Sequence, residues 1–392
     1  MPNLMSEENF ETIAIRLQAE RSQYKEHSVP LYLTSSYKFD DAEDMRALFA
    51  AEKEGNVYSR YANPNTSELI EKMAALEGAE TGWVTATGMA AIFTTMATFL
   101  QNGDHVLSSR AVFGSTHQLL TGIFPKWGID YAYADLDKPQ QWIDGIKANT
   151  KMIFVETPSN PGIEIIDLKW LADLAKKHNL LLVVDNCFAT PYLQQPLKLG
   201  ADISIHSATK YIDGQGRTLG GIILGSAELM KQIEGFARHS GPAMSPFNAW
   251  LLSKSLETLA VRMDRHCENA LKVASFLESQ ANVVKVMYPF LESHPQYEIA
   301  KRQMKQGGGI VTFVIEGGVQ AAAGFMDKPK MFSISANLGD TRSIATHPAT
   351  STHSKLTEAQ RQEVGIEQGT IRLSIGLEHI DDILKDIQQA LS

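Results

Sequence analysis

The chain has 392 residues, 44% of them hydrophobic and 21% charged, with a formal net charge of −9 and a sequence pI near 5.7. This is ordinary globular composition, which excludes a mostly disordered chain, and at about 100 to 200 residues per domain it suggests two or three domains. The acidic balance argues against a nucleic-acid partner, which would call for a basic stripe, and favours a small-molecule substrate.

Only two cysteines occur, Cys187 and Cys267, too few and too far apart for a disulfide framework or a zinc ribbon. Both are read as reduced thiols, and Cys187 as a packed one. The N-terminus Met1-Pro2-Asn3-Leu4-Met5-Ser6-Glu7-Glu8 has neither a basic nor an apolar leader region, and no uninterrupted apolar run reaches about 18 residues. A cytoplasmic protein with no membrane partner is expected.

Residues 1–55 are polar and weakly patterned, with a short extended piece at 30–34. An arm this long buries little by itself and is expected to pack on another domain or a neighbouring subunit. The cluster Asn56-Val57-Tyr58-Ser59-Arg60-Tyr61-Ala62-Asn63-Pro64 follows, dense in aromatic, arginine and turn residues. Tyr58 and Arg60 could serve an anion site; an exposed loop with one packed tyrosine fits the local pattern equally well.

From about residue 66, strand-like and helix-like segments alternate. Helical spacing appears at 66–76, 88–100, 115–123 and 167–178, and strands at 82–85, 105–108, 130–134, 152–156 and 180–185. A helix opening directly after Thr87-Gly88 presents unpaired N–H groups and a positive dipole end, an intrinsic phosphate site. Leu180-Leu181-Leu182-Val183-Val184 is continuously apolar, as in a strand covered on both faces. Such units predict a largely parallel sheet with helices on both sides.

Next, an alternating apolar segment runs from Ile203 into Ser207-Ala208-Thr209-Lys210-Tyr211 and the glycine-rich run 213–221, where backbone and ligand can approach closely. Ser245-Pro246 reads as a helix start, and with no further Gly or Pro until Pro289 it predicts one long helix bridging two domains, with the boundary near 253. Beyond it, 283–287, 309–315, 331–335 and 370–375 read as strands, with a terminal helix after about 379. The expected division is an arm at 1–55, a ligand-binding domain at 56–253 and a smaller α/β domain at 254–392.

Four features fall at the carboxyl ends of strands, where open α/β sheets place ligands. They are the Thr87-Gly88-Met89 turn, Glu156-Thr157-Pro158-Ser159-Asn160-Pro161, Asp185-Asn186 and Ser207-Ala208-Thr209-Lys210. Asp185 closes an apolar strand and is costly to bury unless a cation meets it. A lysine amine, an aspartate and a phosphate-binding helix start together suit pyridoxal phosphate: a Schiff-base partner, a carboxylate for the pyridine nitrogen and an anion cradle.

Six segments, in order, carry a family resemblance: Tyr58-Ser59-Arg60, Thr87-Gly88-Met89-Ala90, Glu156 to Pro161, Val184-Asp185-Asn186, His206 to Tyr211, and Arg372-Leu373-Ser374-Ile375-Gly376-Leu377-Glu378. The chain resembles the cystathionine γ-synthase-like pyridoxal-phosphate enzymes of cysteine and methionine metabolism. The resemblance implies a fold type I transferase, with a mostly parallel seven-stranded sheet in the large domain and a smaller C-terminal α/β domain. It assigns Lys210 to the cofactor aldehyde and to acid/base work, and Asp185 to the pyridine nitrogen. Gly88, Met89, Ser207 and Thr209 would hold the phosphate, joined by Tyr58 and Arg60 from a neighbouring subunit. Asn160 would bond the ring hydroxyl, and Arg372, with Asn337 nearby, would bind the amino-acid substrate. A homotetramer made of two active dimers is implied.

The chain departs from the commonest family pattern at Val112-Phe113-Gly114, where many members have a tyrosine over the ring; Phe113 can stack but cannot donate a hydrogen bond. The runs 336–342 and 347–353, with Asn337 where other members tend to have serine, look like the homoserine-ester sulfhydrylases. The run 213–217 and the chain length favour the O-succinylhomoserine branch, with sulfide as co-substrate in methionine biosynthesis. Rival readings are a cystathionine γ-synthase, using cysteine, and a methionine or cystathionine γ-lyase. Gly214, Gly216 and Gly221 do not have dinucleotide-loop spacing. His347 and His353, with no third ligand nearby, do not suggest a metal.

Overall fold

The computed structural model describes residues 8–354, 357–363 and 365–392. Twelve strands are assigned there: β1 Thr81–Thr85, β2 His105–Ser109, β3 Asp130–Ala134, β4 Thr150–Glu156, β5 Leu181–Asp185, β6 Ile203–Ser207, β7 Gly221–Gly225, β8 Val283–Met287, β9 Ile310–Ile315, β10 Ser333–Ile334, β11 Ile344–Thr346 and β12 Thr370–Ser374. The first seven form one sheet in the order β1-β7-β6-β5-β4-β2-β3, the last five a second sheet in the order β10-β11-β12-β9-β8. In the larger sheet only β7 runs against its neighbours β1 and β6. The carboxyl ends of β1, β2, β4, β5 and β6 therefore share one edge.

The apolar runs are explained by burial on both faces. Along β4 and β5, Met152, Phe154 and Val183 pack with the helices Gly88–Phe99 and Ala227–Ser240. The alternate residues Ile153, Val155, Leu182 and Val184 pack with Leu171, Leu174 and Ala175 of the helix Leu168–Lys177. Asp167 caps that helix by accepting the Trp170 amide at 3.1 Å. A second apolar cluster lies between β9, β12 and the helices Leu259–Glu278, Gly318–Asp327 and Ile380–Leu391.

Several sequence expectations need correction. The single helix expected from 245 is two, Pro246–Leu256 and Leu259–Glu278. At the break the Ser255 carbonyl is taken by the Thr258 amide and by the buried Arg262 guanidinium, so it is not available to continue the ladder. The strand expected at 331–335 shrinks to two residues, paired with β11. The helix expected at 115–123 is a short α-helical piece, Gly114–Gln118, followed by a wider π turn at Leu119–Ile123. Strands β7 and β11 and the helix Ala227–Ser240 were not expected at all.

The arm is partly anchored. Ile13 and Ala14 of the helix Phe10–Arg16 are buried, and Phe10 meets Tyr192 edge-on at 5.0 Å. Asn65 accepts the Tyr32 amide and donates to the Pro30 carbonyl. The next helix, Ala42–Phe49, has no buried residue. No helix among the described residues is long and apolar enough to cross a membrane.

Candidate active site

The shared edge of the large sheet is closed over by the segment between β10 and β11 and by the end of β12. Parallel register puts Glu156 beside Asp185 and antiparallel register puts Ser207 beside Gly221. The acidic strand ends, the Lys210 turn and the Gly88 helix start thus meet through strand pairing alone.

Lys210 follows β6 in a tight coil: the Asp213 amide bonds the Ala208 carbonyl at 2.9 Å and the Gly214 amide bonds the Lys210 carbonyl at 2.8 Å. Its Nζ donates to Asn337 Oδ1 at 2.8 Å. Burial lowers its pKa, with the Arg372 charge acting in the same direction. Gly339 closes the turn from the other domain: a Cβ there would stand 2.7 Å from the Tyr211 nitrogen and 3.0 Å from the Lys210 carbonyl carbon.

Arg372 lies on β12 and is 2% exposed. Its Nη1 donates to Asn160 Oδ1 at 2.9 Å, and Nη2 to Thr346 Oγ1 at 3.1 Å and to the Ala336 and Asn337 carbonyls at 3.3 and 3.2 Å. Nε is buried and has no partner among the described residues. Burial pulls the guanidinium down to about 10, which leaves it charged near neutrality. Because Asn160 Oδ1 faces Arg372, its Nδ2 donor points elsewhere, as an acceptor on a ligand ring would require.

Asp185 is 7% exposed, and its Oδ1 accepts the Cys187 amide at 3.0 Å. Burial pushes it up to about 6. Glu156 is pushed well up, first by burial and then by the Asp185 charge, although its Oε2 accepts the Phe113 amide at 2.7 Å. A cationic ring nitrogen beside Asp185 would relieve that penalty. Cys187 Sγ donates to the Ser207 carbonyl at 3.6 Å, and burial raises its pKa far above the range of a reactive thiol.

The anion cradle is where β1 passes into the helix Gly88–Phe99. Thr87 caps it, taking the Ala90 amide at 3.0 Å, which leaves the Gly88 and Met89 amides without intrahelical acceptors. A Cβ on Gly88 would lie 2.6 Å from Ser207 Cβ and 2.8 Å from its Oγ. Glycine alone lets helix start and Ser207 stand so close. Thr209 Oγ1 accepts the Gly220 amide at 3.3 Å. Phosphate-binding amides, a buried carboxylate lacking a cation, a lysine and an unpaired buried Arg372 donor together fit pyridoxal phosphate with an amino acid on it.

Tyr58 and Arg60 do not join this site within the chain. Arg60 donates to the Arg238 carbonyl and stands 5.2 and 4.8 Å from the ring centroids of Tyr58 and Tyr61, and Tyr58 is 40% exposed. Phe113 is 39% exposed. His347 is held by Thr350 and the Gln368 carbonyl, and no group of three metal-ligating side chains occurs among the described residues. The glycine run is held within the protein: Asp213 is buried and accepts the Arg217 amide and Nε, and the Gly214 carbonyl accepts the Thr341 amide.

Sequence reasoning overlooked three contributors. Glu156 holds the Phe113 backbone, Thr346 holds Arg372 and Gly339 walls in the Lys210 turn. For Glu156 a signal existed, since it closes an apolar strand just as Asp185 does; Thr346 and Gly339 have no local signature.

A family profile described as Cys/Met metabolism PLP-dependent enzyme matches residues 11–392. An O-succinylhomoserine sulfhydrylase of Pseudomonas aeruginosa is 49% identical over 383 residues, covering 98% of this chain and 95% of the relative. An L-methionine gamma-lyase of Fusobacterium nucleatum is 40% identical over 390 residues, covering 99% of each. Among solved structures, a provisionally named O-acetylhomoserine (thiol)-lyase of Campylobacter jejuni, carrying a pyridoxyl-lysine monophosphate, superposes with a TM-score of 0.94 at 35% identity, covering 98% of this chain and all of its own. The metB protein of Corynebacterium glutamicum gives 0.93 at 38% identity over 98% of both chains. With full-length matches well above the level at which fold alone is shared, and a site that fits the cofactor, the chain belongs to the pyridoxal-phosphate-dependent enzymes of cysteine and methionine metabolism.

Proposed function

We propose that this protein is a homoserine-ester sulfhydrylase, which replaces the acyl group of O-succinylhomoserine or O-acetylhomoserine with sulfide to give homocysteine and a free carboxylate. The observation that carries it is the contact of Lys210 Nζ with Asn337 beside Arg372, set against the sulfhydrylase relatives.

Pyridoxal phosphate, when bound, supplies the aldehyde that takes up the substrate amine and the electron sink for charge at Cα and Cβ. Arg372 binds the substrate α-carboxylate through its free Nε edge and so orients Cα toward Lys210. Lys210 Nζ, its pKa lowered by burial, takes the Cα proton and works again at Cβ. The Cγ–O bond then breaks, the carboxylate departs, and sulfide forms the new Cγ–S bond. Asn337 holds Nζ between these transfers. With the cofactor bound, Asp185 would keep the ring nitrogen protonated, Asn160 would donate to the ring hydroxyl oxygen, Phe113 would stack on the ring, and Gly88, Met89, Ser207 and Thr209 would hold the phosphate.

Tyr58 and Arg60 are assigned to the phosphate of a neighbouring subunit, which makes the active unit a dimer; the family resemblance adds the homotetramer of two such dimers. Exposed Leu33 (71%) and Phe49 (53%) in the arm support a subunit contact for residues 1–55. The two sheets support a division at about 253 into a cofactor domain, 56–253, and a C-terminal domain, 254–392. A cytoplasmic location fits an amino-acid biosynthetic role.

Methionine γ-lysis is the second reading, favoured by relatives at 40% identity. Purified enzyme assayed with O-succinylhomoserine and O-acetylhomoserine, each with sulfide or cysteine, and with methionine alone, separates the readings. Fastest turnover with either ester and sulfide is expected. Fastest turnover with methionine, or with an ester and cysteine, would replace the proposal.

A further inference from the structure

The helix Leu259–Glu278 carries three buried polar side chains that play no part in the chemistry above: Arg262 at 5% exposure, His266 and Asn269 at 0%. They stand at i, i+4 and i+7, one stripe of the helix, beside the apolar Met263, Ala270 and Val273. Burying such groups is costly unless they are bonded, so their partners are informative.

Their donors go chiefly to main-chain carbonyls of two segments. Arg262 Nη1 donates to the Tyr211 carbonyl at 2.6 Å, and Nη2 to the Ile212 carbonyl at 3.2 Å. His266 Nδ1 donates to the Ile375 carbonyl at 2.6 Å, and Asn269 Nδ2 to the Gly376 and Glu378 carbonyls, each at 3.0 Å. Tyr211 and Ile212 directly follow Lys210, and Ile375 to Glu378 directly follow the strand that bears Arg372. One end of the stripe grips the lysine turn and the other grips the carboxylate-binding strand. The helix rises about 10.5 Å over those seven residues.

We propose that Arg262, His266 and Asn269 are positioning residues that form a spacer, setting the separation between the Lys210 amine and the Arg372 guanidinium. That separation decides whether one substrate molecule can engage its amino and carboxylate ends together. The inference rests on the roles given to Lys210 and Arg372 above. Two contacts tighten the grip on the lysine turn. Gly214 has a φ of +69°, and a Cβ there would stand 2.0 Å from Arg262 Nη1, so the backbone closes directly onto the guanidinium. The Tyr211 ring meets His266 edge-on at 5.2 Å.

The test compares L-alanine with ethylamine, which is alanine without its carboxylate. Each is titrated into the cofactor-loaded enzyme while the near-visible band of the lysine-bound cofactor is followed. Wild type should prefer alanine. In Asn269→Leu and His266→Leu that preference should fall by at least about tenfold while ethylamine affinity stays within about twofold. His266→Asn, whose amide can donate from nearly the Nδ1 position, should restore the preference. If a leucine variant does not fold, Arg262→Lys, which keeps the charge but cannot span both carbonyls, carries the same comparison. Equal weakening of both ligands, or no change in their ratio, would overturn the spacer. A wild type indifferent to the carboxylate would instead overturn the pairing of Lys210 with Arg372 on which it rests.

Discussion

Replacing Arg372 with lysine preserves the charge but not the geometry. The guanidinium serves Asn160 on one side and Thr346 with the Ala336 and Asn337 carbonyls on the other, and leaves Nε without a partner among the described residues, open to the proposed substrate carboxylate. An ammonium has three donors at one point and cannot span these acceptors while also meeting a carboxylate. Losing one charge-assisted hydrogen bond to the substrate costs about 1.5–3 kcal/mol, or roughly 10- to 150-fold in kcat/KM. The carboxylate is bound before and during the reaction alike, so the loss should fall mainly on KM. Homocysteine release at saturating sulfide, with O-succinylhomoserine varied, measures it. The near-visible cofactor band should persist, since Arg372 does not hold the cofactor. A KM and kcat/KM within about threefold of wild type would refute the clamp.

Three further outcomes are expected. Asp185 has its pKa raised by burial to about 6, above the roughly 4 of an unfolded chain, so its favourable contribution is whole below pH 4 and is lost as pH rises through 6. Cofactor-free Asp185→Asn should therefore gain in Tm over wild type at pH 8 but not at pH 4; the same Tm difference at both values would sink the argument. In Gly88→Ala the new methyl would meet Ser207 at 2.6 Å, an overpacking of about 1–3 kcal/mol that should weaken cofactor retention roughly 5- to 150-fold in equilibrium dialysis. Undiminished retention would show that the two segments need not approach so closely. Finally, Arg60→Ala and Lys210→Ala, each impaired alone, should regain about a quarter of wild-type activity when refolded together, because a mixed dimer has one intact site. Mixtures no better than their parents would place Arg60 outside the neighbouring site.

Much of the large domain is legible locally because its strands are buried on both faces and read as unbroken apolar runs, as in Leu181–Asp185. Two strands are less so. Ile344–Thr346 in the second sheet is three residues long, and Gly221–Gly225 in the first opens and closes with glycine, so neither carries a periodic signal. The break in the long helix has no local signal, because Arg262 acts there through Ser255, seven positions earlier, and through a loop about fifty residues away.

The sequence by itself marked the candidate groups: Lys210 after its strand, Asp185 at a strand end, and the Thr87-Gly88 helix start, each by a departure from the pattern around it. Only the tertiary structure decided what those groups face. The Lys210–Asn337 contact joins residues 127 positions apart and the Arg372–Asn160 contact residues 212 apart. Local propensity has no reach over such separations, whereas strand register and domain packing impose them. The same packing sets Arg60 against the Arg238 carbonyl, and it gives one face of the helix Leu259–Glu278 a hold on the Lys210 turn and on the segment after β12.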